Sequence, residues 1–322
     1  MCPEFWSIAV DVPLDQPLTY KTPEFLSGTL QRGLLVHVPL KTRKAKGVLL
    51  SQSEQKIEDF QDFEVKDILK VEPEYKPLPE YFLKWLEWLA NYYLHPIGAV
   101  TGLAYPPLSS VVRKTKTQLG KKAPIVPQQA QLKSVDWPAL TPEQAQALNS
   151  IKSFCDFSVH ILFGVTGSGK TEVYLNLLKE TIERGQAGLV LVPEISLTPQ
   201  LVQRFAARFG NEVAVIHSQL TSRERTSQWW EIVEGRKKIL IGARSALFCP
   251  IEDLGIIIVD EEHESSFKQD EKLKYHGRDA AVMLAKHANC PVVLGSATPS
   301  LESWKNAIEK KYHLHKMEKR VE

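Results

Sequence analysis

The sequence predicts an α/β protein: a P-loop parallel sheet with helices on both faces, preceded by a small β-rich module. Three observations carry that expectation. From residue 140 onward, short apolar runs rich in branched residues alternate with helical stretches or polar loops, the pattern of strands buried on both faces. One of these runs leads through a Gly-rich turn into a helix, the setting of a phosphate-binding loop. Up to residue 105 the chain instead shows short strand-like segments followed by one amphipathic helix.

In the first region, residues 7–12, 34–39 and 47–51 read as strands, with Gly33, Gly47 and several prolines at the turns. Lys41-Thr42-Arg43-Lys44-Ala45-Lys46 reads as a basic loop between the last two. After Pro79, the residues Phe82, Leu83, Trp85, Leu86, Leu89 and Tyr93 recur at three- and four-residue spacing, one face of a helix that Pro96 ends. Residues 106–139 read as a basic, Pro-containing linker, with five prolines and six basic residues against the single acid Asp136. A solvated tether is the plain reading and contact with a phosphate backbone the sharper one. Residues 140–322 hold the strand candidates 159–163, 189–192, 213–216, 239–241, 256–259 and 292–294.

Composition narrows the function classes only slightly. The 322 residues are 43% hydrophobic and 24% charged with a net charge of +2, ordinary for a globular protein and uninformative about partners. The opening thirteen residues carry Glu4 and Asp11 and no basic cluster, which is not a signal peptide, and no apolar run approaches membrane-spanning length. Cys2, Cys155, Cys249 and Cys290 show no Cys-x-x-Cys spacing, so neither a zinc site nor a disulfide framework is expected, and a reducing, cytoplasmic setting is.

Gly164-Val165-Thr166-Gly167-Ser168-Gly169-Lys170-Thr171 fits G-x-x-x-x-G-K-[ST] at every fixed position. Its glycines let backbone N–H groups approach phosphate oxygens, and the following helix start adds unpaired donors. Lys170 suits the β- and γ-phosphates of ATP, and the Thr171 hydroxyl suits Mg²⁺. At the end of the apolar run 256–259, Asp260 suits the Mg²⁺ and Glu261 suits the attacking water as its base. These assign Glu261, Asp260 and Lys170 as catalytic candidates. His263 reads as a coupling residue. Gln144 has an amide that matches an adenine edge, though its position also fits an ordinary helix start with Thr141 as cap and Pro142 in the first turn.

Taken in order, this loop, the Asp260-Glu261-Glu262-His263 box and Gly295-Ser296-Ala297-Thr298-Pro299-Ser300 resemble motifs I, II and III of superfamily 2 helicases. Longer strings resemble the PriA family of replication-restart helicases: the loop with Glu172-Val173-Tyr174, then Leu191-Val192-Pro193-Glu194-Ile195-Ser196-Leu197-Thr198-Pro199-Gln200, and Gly242-Ala243-Arg244-Ser245-Ala246-Leu247-Phe248, where that family more often has Thr in place of Ala243. The resemblance implies a RecA-like ATP-binding lobe over 140–322, a DEEH-box 3′→5′ DNA helicase, and a small DNA-end-binding domain over 1–105. It implies that Phe267, Lys268, Tyr275 and Arg278 lie in an aromatic-rich loop that senses single-stranded DNA, with Ser296 and Thr298 in the coupling motif. Packing of the loop's aromatics on the lobe is the plain alternative. Tyr92-Tyr93-Leu94-His95-Pro96-Ile97-Gly98 also matches, and implies a 3′-end pocket including Thr19, Tyr20 and Gly98. Some relatives have Asp where Thr19 stands, and Tyr20 read alone is a half-buried strand aromatic.

The resemblance has two departures. No winged-helix domain separates the two regions. The second helicase lobe with its arginine finger, the cysteine-rich zinc-binding insertion and the C-terminal domain have no counterpart here, so the chain is expected to be truncated and not to unwind DNA alone. Implied partners are forked DNA with a 3′ end, single-stranded DNA, the primosome and single-strand-binding proteins, with no membrane. The alternative function is a fork-DNA-binding module in which ATP binding is only regulatory.

Overall fold

The structure, a computed structural model, describes residues 4–53, 64–107 and 137–321. Most of the expected linker therefore lies outside the described residues. The chain divides into two compact units, Met1–Tyr105 and Pro106–Glu322.

In the first unit, strands β1 (Phe5–Val10), β2 (Leu18–Lys21), β3 (Leu35–Leu40), β4 (Arg43–Ser53) and β5 (Lys70–Val71) form an antiparallel sheet in the order β2-β1-β4-β3-β5. Alternation along the strands points Trp6, Ile8, Val36, Val38 and Leu49 into one core. The expected basic loop is corrected. Leu40 pairs with Arg43, so Lys41 and Thr42 alone form the turn, and residues 43–46 belong to β4. A two-residue hairpin turn needs positive φ, and Lys41 adopts +52°. Helix α1 (Glu80–Tyr92) buries Phe82, Leu83, Trp85, Leu86 and Leu89, the face read from spacing. Pro96 does not end α1. It precedes a second helix, α2 (Ile97–Gly102), because proline's fixed φ suits a helix entry.

The second unit holds a seven-stranded parallel sheet, ordered β12-β6-β11-β10-β7-β9-β8. Its strands are β6 (Val159–Gly164), β7 (Ala187–Leu191), β8 (Val213–Ile216), β9 (Ile239–Gly242), β10 (Leu254–Asp260), β11 (Val292–Ser296) and β12 (His313–Met317). The first six are almost wholly buried, as strands covered on both faces must be. Helices α3 (Pro142–Lys152), α4 (Lys170–Glu183), α5 (Pro199–Phe209), α6 (Ser222–Val233), α7 (Gly277–Ala288) and α8 (Leu301–Ile308) connect or flank them. Three start on threonine caps, at Thr141, Thr198 and Thr221.

Sequence reading misses β12, whose His-Leu-His-Lys-Met shows no apolar run. It joins the sheet edge by parallel pairing with β6, from His313 opposite His160 to Met317 opposite Gly164. His160 on β6 lies with its ring 5.0 Å from that of His313, and its Nδ1 is 3.1 Å from Nε2 of His315. Burial first, and the neighbouring histidines second, push the His160 pKa down to about 3, so its ring is neutral in this contact. Trp137, at the end of the expected linker, packs edge-on against Phe209 and under Lys179 and Arg208 in this unit.

Candidate nucleotide site

In an open parallel sheet, ligands gather outside the carboxyl ends of the strands. Here β6 ends at Gly164 and β10 at Asp260, so the two motifs are delivered to the same edge. Between β6 and α4 the chain turns through Gly167 (φ +84°) and Gly169 (φ +78°), backbone that residues with a Cβ rarely adopt. Lys170 heads α4, is 9% exposed, donates to the Gly164 carbonyl at 3.0 Å and lies 3.9 Å from Glu261. The buried Ser168 hydroxyl in the same loop has no hydrogen-bond partner.

Glu261 is itself left-handed, at φ +48°. For a residue with a side chain this costs energy and persists only where its surroundings hold it. Its effect is to send three successive carboxylates to three places. Asp260 Oδ1 accepts from the Tyr174 hydroxyl at 2.9 Å. Glu261 faces Lys170 and lies 3.7 Å from His263. Glu262 turns inward and is fully buried. Burial, and then the charge of Glu261, raise the Asp260 pKa, while the Tyr174 bond and Lys170 act against them.

Glu262 is the residue that sequence reasoning missed. It accepts from the Ser300 backbone N–H at 2.7 Å, from the Ser303 hydroxyl at 3.0 Å and from Arg278 at 3.1 Å, tying the second motif to the third. The third motif is also held through His263, whose Nδ1 is 2.8 Å from Ser296 Oγ, which accepts from the Thr298 N–H at 2.9 Å.

Gln144 is 3% exposed. Its carbonyl accepts from the Thr141 N–H at 2.9 Å, closing a capping box, and its amide donates to the Ser168 carbonyl at 3.1 Å. The glutamine thus fastens α3 to the Gly-rich loop, with one lone pair and one N–H left over.

The residues between the second and third motifs are packed rather than displayed. Phe267 is 1% and Tyr275 6% exposed, so both rings pack into this unit rather than present open faces. Arg244 explains the closure. Its guanidinium donates to the Ser266 and Lys268 carbonyls at 2.7 and 2.6 Å, while its own carbonyl accepts from Tyr275. Arg278 is 7% exposed and committed to Glu262, Ser300 and Asp279, so it does not reach a phosphate here, whereas Lys268 is exposed.

In the first unit the expected pocket residues lie on β2 and α2. Tyr20 is 4% exposed within the core and its hydroxyl donates to the Pro39 carbonyl, leaving neither face nor proton for a base. Thr19 pairs with Ser7 on β1, while Gly98 packs on Val10, three residues farther along, roughly 10 Å. A Cβ at Gly98 would stand 1.6 Å from the Val10 carbonyl oxygen. Gly98→Ala is therefore expected to destabilise this unit by about 1–3 kcal/mol, read as an earlier thermal transition, through overpacking alone.

The donors at the sheet edge fit a magnesium nucleotide. The Thr171 hydroxyl and Asp260 carboxylate are hard oxygen ligands, and Mg²⁺ is typically held by one or two such groups together with substrate phosphates. Among the described residues, no group of three or more His, Cys, Asp or Glu is placed to hold a metal. No helix among them is long and apolar enough to cross a membrane.

Each of the two units matches a known protein family. The model of the PriA 3′DNA-binding domain (3′BD) matches residues 7–106, and that of the DEAD/DEAH box helicase matches residues 141–307. The replication restart protein PriA of Bacillus subtilis is 50% identical over 185 residues, covering 56% of this chain and 23% of that protein. Its namesake from Chlamydia trachomatis is 33% identical over 386 aligned positions, covering 98% of this chain and 51% of that protein. The alignment is longer than this chain, so the relative carries internal residues that have no counterpart here. The chain spans about half the length, or less, of these relatives. Among solved structures, the UvsW helicase from Bacteriophage T4 matches at 15% identity and a TM-score of 0.40, over 56% of this chain and 61% of that one.

Proposed function

Because the chain belongs to the DEAD/DEAH box helicase family and joins that lobe to a PriA-type 3′DNA-binding domain, we propose that it carries the ATP-binding half of a replication-restart DNA motor. The observation that carries the proposal is the meeting of Lys170 and Glu261, 3.9 Å apart, where the Gly-rich loop and the DEEH box leave the sheet. Lys170 would meet the β- and γ-phosphates, Thr171 and Asp260 would hold Mg²⁺, and Glu261 would take a proton from the attacking water. The leftover valences of Gln144 would read adenine. Bound Mg²⁺ supplies charge neutralisation on the transferring phosphoryl group.

Lys268 and the third motif, through Ser296 and Thr298, would couple this chemistry to single-stranded DNA. Exposure of Phe267 and Tyr275 for stacking would require Arg244 to release their loop. Motion in the 3′→5′ direction, a cytoplasmic setting, and primosome and single-strand-binding partners are parts of the same proposal.

The test uses forked duplexes with free and blocked 3′ ends. Tighter binding to free ends is expected, on an affinity that falls with salt because of the cationic residues at 41–46. Equal binding to both would reduce the first unit to a general electrostatic binder. Phosphate release unaffected by DNA would leave a fork-binding module in which ATP is regulatory.

A further inference from the structure

Tyr174 stands one helical turn after Lys170 on α4, at i+4, so both point to the same side of that helix. Its ring is 1% exposed, and its hydroxyl donates to Asp260 Oδ1 at 2.9 Å. The hydroxyl occupies a space that exists only because residue 295 is glycine. Gly295 lies opposite Asp260 in the β10–β11 register, and a Cβ there would stand 1.6 Å from the Tyr174 oxygen and 3.3 Å from Asp260 Oδ1. Residues from the flank of the first motif, from the second and from the third thus converge on one carboxylate.

A carboxylate at a strand end turns easily about its last torsion, which is broad and roughly two-fold. The Tyr174 donor on Oδ1, with the Glu261 backbone N–H as a second donor to the same carboxylate, restricts that freedom. We propose that Tyr174 is a positioning residue: its hydroxyl fixes the Asp260 carboxylate to receive the hydrated cation of a bound nucleotide, and Gly295 keeps open the space that hydroxyl needs. The inference rests on reading this edge as a magnesium-nucleotide site. The plain alternative is a core tyrosine whose buried hydroxyl takes the nearest acceptor. The two differ in what depends on the bond. A partner that orients a metal ligand typically governs metal affinity by roughly 10–100-fold, whereas a packing residue on α4 would disturb the phosphate loop with or without metal.

Tyr174→Phe removes the oxygen and keeps the ring. The purified chain is titrated with ATP carrying a fluorescent ribose label, once in EDTA and once across a Mg²⁺ series, with a thermal melt alongside. The expected result is a half-saturating Mg²⁺ concentration raised roughly 10–100-fold, with metal-free nucleotide affinity unchanged. Gly295→Ala, which displaces the hydroxyl without deleting it, is expected to show the same Mg²⁺-selective loss. Equal weakening with and without Mg²⁺ would make Tyr174 a packing residue and overturn the inference, as would an unchanged Mg²⁺ series. A wild-type chain that binds no nucleotide under either condition would bring down the reading of the site itself, a failure distinct from one confined to the variants.

Discussion

Lys170→Ala is expected to abolish tight Mg-ATP binding, while Glu261→Gln keeps binding and stops turnover. Lys170 is nearly buried, and its nearest carboxylate is Glu261 at 3.9 Å, too long for a hydrogen bond. Its firm contact is the Gly164 carbonyl at 3.0 Å, within the loop that would cradle the phosphates. The lysine is therefore pre-placed for a stronger anion. Removing one partner of a desolvated charge pair costs about 2–5 kcal/mol, roughly 1.5–3.5 orders of magnitude in affinity. Glu261 has a different task. It is partly exposed, held by its left-handed backbone, and its amide analogue keeps the shape without accepting a proton. Loss of a general base lowers rate by about 10²–10⁴. Nucleotide titration of both variants, with single-turnover phosphate release in the complete protein, separates the roles. Equal loss of binding in both would refute the division.

Arg278→Ala is expected to be the most damaging change to the stability of the second unit outside its apolar core. Arg278 is the one cation that Glu262 touches among the described contacts, and Glu262 is fully buried. Breaking a buried pair by removing one partner typically costs about 3–5 kcal/mol, because the remaining charge stays desolvated. Ser300 and Ser303 still donate to Glu262, which places the expected loss near the lower end, about 3 kcal/mol. At roughly 2–4 °C per kcal/mol for a unit of this size, the melting temperature should fall by about 6–12 °C. Replacing both partners with methionine should recover much of that loss, since apolar packing avoids the desolvation cost. A single variant that melts like the wild type would mean that Glu262 is held by the serines alone.

The sequence by itself determined the elements whose signal is local. The face of α1 was legible because helical period sets it, and six of the seven parallel strands because strands covered on both faces are apolar throughout. The Gly-rich loop and the DEEH box were legible because their chemistry is written in consecutive residues. The turn at 41–42 and the start of α2 at Pro96 were misread, since turn geometry and pairing register decide them rather than composition.

Tertiary structure alone decided what each of three adjacent carboxylates touches. Asp260 meets a tyrosine 86 residues upstream, and Glu262 meets Arg278, Ser300 and Ser303 up to 41 residues downstream. It also closed the aromatic loop with Arg244, buried Tyr20 and made an edge strand of a polar segment by pairing it with β6. Periodicity reports the environment of neighbours along one element. The parallel sheet instead gathers the ends of β6, β10 and β11 at one edge, so side chains distant in sequence share a few ångströms, and burial there fixes which charge must be paired and which stays free for a ligand.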